Sequence, residues 1–485
     1  MMNRTLRRIV TLLLVAASYP VLGAEKLLLL HTNDWHGTVK ATPALWLSKD
    51  HPPMLGGPQA LAGSLGQYKL QALRQGIRWL QVDAGDRFQG TMEANFSHGQ
   101  AMTDLYNALN YTAITLGNHD FDYGKKALLD SMKSARFPLV CANLNEAGMP
   151  WRSSLTARIG SFTIGITGVM TRDLPGLTYP ENISGLTLTD PTSAAKRVTA
   201  ELRKRGCDLI ILLSHCGHDV DREIAHAVPD LDIIVGGHSD EHLSQPVQIG
   251  KTLIVQTRGY GSHLGALTLT RNENSPGIAT FTYDSIALDP ASWPASPGIA
   301  SVIASWGQLV DEIAAQPVGV SPREFLRRPV TNGESQLGTQ LCKAVSAQSG
   351  CPIVVFQAGG LRTDLPAGNI IFKDIYQVLP FNHQILVGKI SGSDLLKLLD
   401  KGSDGEGAEL CILGPRLKRD SGVFSAEFQG KQIAPEALYP ISLNDFLAKG
   451  GDGFEEFTRV KELHPQGGII RDALIDWIKK GNLGK

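Results

Sequence analysis

Tyr111-Thr112-Ala113-Ile114-Thr115-Leu116, followed at once by Gly117-Asn118-His119-Asp120-Phe121-Asp122, is the stretch whose reading decides the fold. The apolar run predicts a buried strand. Gly117 then allows a tight turn, so that polar side chains project from the strand's C-terminal edge. Asn118 offers a neutral carbonyl oxygen suited to a metal ion, and His119 offers an imidazole beside it. Asp122 can fix the tautomer and tilt of that ring. Alone, the hexamer reads equally well as a polar turn after a core strand.

Outward from this stretch, the pattern strand, loop, helix repeats between Glu25 and about Ala287. The runs Lys26 to Leu30, Trp79 to Val82, Ile164 to Gly168, Leu209 to Leu213 and Ile233 to Val235 each end in a polar cluster. Buried strands with functional loops at one edge give this signature. The clusters are Asp34-Trp35-His36, Gly85-Asp86, Asn118-His119, His215 and Gly236-Gly237-His238-Ser239-Asp240. Together they offer Asp34, His36, Asp86, Asn118, His215, His238 and Asp240. That is an oxygen and nitrogen ligand set without thiolate, large enough for two divalent ions. A single histidine after a strand is more often a hydrogen-bonded core residue; the joint pattern argues against that reading.

Residues 1–24 carry Arg4, Arg7 and Arg8, then the apolar run Ile9 to Val15, then small residues up to Gly23-Ala24. This order predicts a secretory signal peptide cleaved after Gly23 or Ala24, and hence a secreted or periplasmic protein with no membrane anchor. The run is short for a membrane span of roughly 20 residues. The segment holds three arginines and no acid, so its removal takes the formal charge from −1 to −4. No basic excess points to a nucleic-acid polymer as partner. The six cysteines do not read as a disulfide framework. Cys141, Cys207 and Cys216 are expected in cores, while Cys342 and Cys351 are the best candidate pair.

A proline-rich segment from Asp289 to Pro297 closes the first half, and a helix is expected from Ile299 to Ala315 as an interdomain linker. The expected division is residues 25–295, a linker over 296–322, and a second α/β domain over 323–485. Strands Ile353 to Phe356 and Ile385 to Ile390 and a helix Gly392 to Leu399 are expected in the last.

The order Asp-x-His, Gly-Asp, Gly-Asn-His-Asp, His and Gly-Gly-His resembles the calcineurin-like metallophosphoesterases. More narrowly, His31-Thr32-Asn33-Asp34-Trp35-His36-Gly37 and Asp83-Ala84-Gly85-Asp86 are similar to the exported 5'-nucleotidase family. So are Gly117 to Gly124, Ser214-His215, Ala358-Gly359-Gly360-Leu361-Arg362, and Asn444 to Ala448 with Gly450-Gly451-Asp452-Gly453-Phe454. The resemblance spans nearly all of the chain after residue 24. It implies a four-layer metallophosphatase β-sandwich flanked by helices, followed by a smaller α/β substrate-binding domain. It also implies that Asp34, His36, Asp86 and Asp240 hold one ion and that Asp86, Asn118, His215 and His238 hold the other. By the same resemblance His119 acts on the transferring phosphoryl group or the departing oxygen, and Asp122 orients it.

Two regions depart from the family pattern. Position 240 commonly holds Gln, Asn or His, and here it is aspartate, which favours a harder ion such as Mn²⁺ beside the Zn²⁺ expectation, with Co²⁺ and Mg²⁺ open. In the second half, Arg362 is retained to hold phosphate, and Gly360 lies beside it in the same motif. Gln357 replaces an asparagine that reaches the nucleoside. Phe454 matches one of two base-stacking aromatics, but no aromatic stands near Glu409-Leu410-Cys411 for the other. The expected function is hydrolysis of 5'-nucleotides to nucleosides and phosphate. The alternatives are cyclic nucleotides, nucleotide sugars or a sulfur ester, and, from another class, a non-catalytic nucleotide-binding protein. Oligomeric state stays open.

Overall fold

The computed structural model describes residues 25–485 apart from 45, 49–50, 272–276, 404–408 and 421–422. The signal-peptide expectation over 1–24 lies outside the described residues. In Lys26–Thr32 the leucines alternate between two cores. Leu27 and Leu29 face one apolar cluster, while Leu28 and Leu30 face another. Period-two side-chain alternation in a strand buried on both faces requires a packed layer on each side.

That strand is central to a seven-stranded sheet. The order is Ile278–Ala287, His263–Arg271, Lys26–Thr32, Arg78–Asp83, Ala113–Ile114, Leu139–Val140 and Trp151–Arg152. Its five members from Lys26–Thr32 onward run parallel, and the two at the other edge are antiparallel. A six-stranded sheet faces it, with Val247–Ile249, Thr252–Val255, Ile233–Val235, Leu209–His215, Phe162–Met170 and Ser154–Ile159 in spatial order. Leu209, Ile211 and Leu213 meet Leu27, Leu29 and Val82 between the sheets. Ile210 and Leu212 point the other way, against Ala194, Val198 and Leu202 of the helix Pro191–Lys204. The outer face of the first sheet is covered by Leu61 and Leu65 of Pro58–Arg74 and by Met102 and Leu105 of Gln100–Leu109. The result is the expected four-layer sandwich, with its parallel strands ending on one side.

The run Tyr111 to Leu116 forms a shorter strand than its apolarity predicts. Only Ala113–Ile114 joins the ladder. Flanking bonds from the Thr112 amide to the Gln81 carbonyl and from the Thr115 amide to the Asp83 carbonyl continue the pairing. The Tyr111 ring is stacked on Tyr106, and its hydroxyl is 2.7 Å from the Thr32 hydroxyl. Side-chain packing thus keeps the run buried where the ladder stops.

The helix Pro297–Ala314 begins with proline at its first turn, where a missing amide proton costs nothing. Its Trp306 donates to Asp104 in the first half, and its Val310 and Ala314 pack with Met92 and with Tyr376 of the second half. The second half is built on a five-stranded sheet ordered Leu410–Leu413, Val354–Gln357, Leu438–Asn444, Gln384–Ser391 and Lys461–Ile469. Helices Gln336–Ser349 and Ile470–Lys479 cover one face, and Gly392–Lys401 covers the other.

All six cysteines are buried and unpaired. The candidate pair Cys342 and Cys351 is therefore not bridged. Cys342 packs in the core with its thiol 3.6 Å from the Cys411 carbonyl oxygen, and the Cys351 thiol turns to the Ile353 carbonyl at 3.3 Å. Left-handed Gly350 ends the helix between them and sends Cys351 away from the helix face that carries Cys342. Cys141, Cys207 and Cys216 sit in cores as expected.

Candidate metal centre and cavity

The C-terminal ends of parallel strands from both sheets bring the polar clusters together. Asp34 and His36 follow Lys26–Thr32, Asp86 follows Arg78–Asp83, and Asn118 follows Ala113–Ile114. His215 closes Leu209–His215, and His238 and Asp240 follow Ile233–Val235. Three groups of side chains place their ligand atoms within 4.8 Å of one another. They are Asp34, His36 and Asp240; Asp86, His215 and His238; and His36, Asp86 and His119. Asp86 Oδ2 lies 3.2 Å from His215 Nε2 and 3.8 Å from His36 Nε2, so this carboxylate joins the groups. The Asn118 amide oxygen is 3.2 Å from His215 Nε2.

Hydrogen bonds from outside the cluster orient these groups. His215 Nδ1 is 2.8 Å from the Ala84 carbonyl oxygen, so in the neutral ring Nδ1 carries the proton and Nε2 is the nitrogen that faces the cluster. Asp34 accepts from Asn33 Nδ2 at 2.6 Å and from the His238 amide at 2.9 Å. His119 Nδ1 is 2.7 Å from Asp122 Oδ2, and the His119 amide donates to Asp86 Oδ1 at 2.8 Å.

Three observations test whether these residues fit divalent cations. First, carboxylates, an amide oxygen and imidazole lone pairs converge without a lysine or arginine among them, and such acceptors repel one another unless positive charge lies between. Second, Asp34, His36, Asp86, His238 and Asp240 all adopt left-handed backbone, with φ from 46° to 79°. A non-glycine residue there costs about 1 kcal/mol or more, and that strain concentrates on five of the seven candidate ligands. Third, in the chain alone the cluster binds protons. Burial lifts Asp34 to about 7, and His215 rises to about 10 because its burial is outweighed by the Asp86 and Asp34 carboxylates and the Ala84 carbonyl acting together. Asp86 stays well below the usual range, since the neighbouring His215 and His119 offset the cost of burying it. The donor set fits two divalent ions.

A cavity of about 500 Å³ opens above this centre, between the two halves of the chain. His36, Asp86, Asn118, His119, Asp122, His238 and Asp240 line its floor, and Gln357, Gly360 and Arg362 line the facing side. Asp34 and His215 lie fully buried beneath. Burial opposes protonation of His119, but Asp122 and Asp86 lift it above the ordinary imidazole value.

Phe454 is not in this cavity. It is fully buried in the core under the helix Gly392–Lys401, packed with Leu395, Leu398 and Phe457, with the Lys401 ammonium 5.0 Å over its ring. The expectation that it stacks on a base is corrected: left-handed Asp452 and Gly453 turn the chain so that Asp452 lines the cavity and Phe454 points inward. Gln357 is tied into a buried network, its Oε1 accepting from Asn444 at 2.7 Å and its Nε2 3.3 Å from His383 Nε2. Glu409, where the second stacking aromatic was missing, is ion-paired with Arg328.

Sequence reasoning missed Tyr179, Phe381, His383 and Phe446, which line the cavity. The Phe381 ring is stacked on His119 with centroids 6.3 Å apart. The Tyr179 hydroxyl bridges the halves, 2.9 Å from His383 Nδ1 and 3.1 Å from Asp445. Phe446 stood within a quoted motif and could have been singled out. Nothing in the local sequence around Tyr179 marks it.

The sequence matches the calcineurin-like phosphoesterase family over residues 27–241 and the 5'-nucleotidase C-terminal domain over residues 312–459. It is 27% identical to a Homo sapiens 5'-nucleotidase over 99% of this chain and 93% of that protein. It is 27% identical to an apyrase of Tabanus yao over 93% of this chain and 90% of that protein. Its fold is similar to a 5'-nucleotidase precursor from Thermus thermophilus, at TM-score 0.84 and 24% identity over 95% of this chain and 97% of that one. It is also similar in fold to the sulfate thiohydrolase SoxB of the same organism, at TM-score 0.79 and 17% identity over 96% of both chains.

Proposed function

The chain belongs to the calcineurin-like phosphoesterases that carry a 5'-nucleotidase C-terminal domain, and from that premise we propose that it hydrolyses 5'-nucleotides to nucleosides and phosphate outside the cytoplasm. The observation that carries this reading is the convergence of the candidate ligands with His119 under a cavity that Arg362 faces from the other half. Metal-dependent hydrolysis of phosphomonoesters follows from the family. Under this proposal Asp34, His36, Asp86 and Asp240 hold one divalent ion, and Asp86, Asn118, His215 and His238 hold the other, with Zn²⁺ or Mn²⁺ the first choices. Ions held there supply Lewis-acid stabilisation of the charge that develops on the phosphoryl group.

The chain's own residues supply the rest. Asp122 holds the proton of His119 at Nδ1, which leaves Nε2 to donate to the departing oxygen or to the phosphoryl group. The Asp122 carboxylate favours the protonated ring against the cost of burial, which suits His119 to the role of an acid. The Arg362 fork suits a pair of phosphate oxygens. The buried rows beneath the ligands exclude water from all sides but the cavity.

The inward turn of Phe454 favours a second reading for the substrate's remainder: a phosphoester without a stacked purine, or a sulfur ester. Analysis of all products from nucleoside monophosphates, a cyclic nucleotide, a nucleotide sugar and an aryl phosphate, with Mn²⁺, Zn²⁺ or Co²⁺ supplied, separates these. A thiosulfate ester is included in the same panel. Turnover of nucleoside monophosphates at the highest kcat/KM supports the proposal. Binding of nucleotides without turnover of any panel member would leave only a binding protein.

A further inference from the structure

Tyr260 stands between the candidate metal loops and the second half of the chain. Its backbone is left-handed, with φ 59°, between two glycines that leave no room for side chains. A Cβ on Gly259 would stand 2.9 Å from Asp240 Oδ1, and one on Gly261 would stand 2.8 Å from the Trp35 ring. The Tyr260 amide donates to the Asp34 carbonyl oxygen. Its ring lies over the His36 imidazole, with centroids 4.8 Å apart and 25° between planes. The tyrosine is therefore fixed to the same loop that presents Asp34 and His36.

At its other end the Tyr260 hydroxyl accepts a hydrogen bond from Arg362 Nη2 at 3.0 Å. Among the described residues this is the hydrogen bond made by the Arg362 guanidinium. An arginine side chain held by nothing gives up its rotamer freedom when it captures a ligand. A neutral hydroxyl can hold one edge of the fork without competing for its charge, leaving other N–H groups for phosphate oxygens. A carboxylate in that position would compete.

We infer that Tyr260 is a positioning residue whose hydroxyl sets Arg362 in register over the metal loops, so that phosphate capture depends on the second half of the chain docking onto the first. This rests on the reading of Arg362 as a phosphate-holding residue. The side chain acts through Arg362 and touches no reacting atom.

The test compares wild type with Tyr260→Phe, which keeps the ring over His36 and removes only the hydroxyl. Full-length metal-loaded protein is titrated with inorganic phosphate by calorimetry and assayed on an aryl phosphate. We expect phosphate affinity to weaken and KM to rise by about ten-fold, the usual scale for one hydrogen bond to a charged group, with kcat changed less and metal content unchanged. In an Arg362→Ala background the same substitution should add less than about two-fold, because the bond is already gone. Unchanged phosphate affinity in Tyr260→Phe, effects that multiply in the double variant, or loss of metal would each overturn the inference. A wild type that binds phosphate but hydrolyses nothing would sink the hydrolase reading instead, and the two phosphate affinities would still decide the role of Tyr260.

Discussion

A Cβ on Gly117 would stand 2.0 Å from the Oδ1 atom of Asp86. Gly117 itself has φ −108°, a conformation open to any residue, so it is glycine for space and not for backbone freedom. The Asp86 carboxylate can lie against the strand end only because no side chain is there. Gly117→Ala should therefore displace Asp86, lower bound metal after dialysis and reduce turnover by about 10²-fold, the scale of losing a ligand's support. Circular dichroism should stay close to wild type. Full metal content with full turnover would show that the Asp86 position tolerates displacement.

Metal analysis of the purified protein should find about two divalent ions per chain, and chelation should abolish activity, with recovery on adding Mn²⁺ or Zn²⁺. Asp86→Ala should lose both ions, since Asp86 Oδ2 is shared between the His36 and His215 sides. Activity that survives complete chelation would remove the dinuclear reading.

His119→Ala should retain metal and lose roughly 10²-fold or more in kcat, because the ring is proposed to act on the transition state. Asp122→Asn should cost less, since it alters the orientation and proton affinity of the ring and not its presence. The Asp122 carboxylate lifts His119 above its ordinary value, so Asp122→Asn should also shift the acidic form of His119 to lower pH. The alkaline limb of the rate profile would then move toward acid. An unmoved limb would assign the titration to another group.

The buried strands and the candidate ligands were legible in the sequence because one physical pattern carried both, while the four-layer arrangement was what the family resemblance implied. Short apolar runs bounded by turn residues, such as Leu209 to Leu213, fit strands buried on two faces, and the polar residue that ends each one is placed at a common edge. What the sequence hid depends on contacts between distant segments. Tyr179 meets Asp445 across 266 positions, and Arg362 meets Tyr260 across 102, and neither tyrosine sits in a pattern that marks it. The Cys342–Cys351 candidate pair, left open by the sequence, stays unbridged for a related reason. Closeness in sequence says little about direction once a left-handed Gly350 separates the two thiols.

Phe454 is the residue for which the motif and the packing point in opposite directions. The motif assigns its ring to a base, while the structure encloses it among Leu395, Leu398 and Phe457 with no exposed surface. Phe454→Ala should therefore act on stability, lowering it by about 3–5 kcal/mol as for other buried phenylalanines. Phe454→Leu is the discriminating change, because it keeps most of the buried volume and removes the ring. It should leave KM unchanged for both a nucleoside monophosphate and an aryl phosphate. Phe446→Ala, at a ring that does line the cavity, should raise KM for the nucleotide more than for the aryl phosphate. If Phe454→Leu instead raised KM for the nucleotide alone, the Gly450–Phe454 turn would have to open during binding, and the ring would reach the base after all.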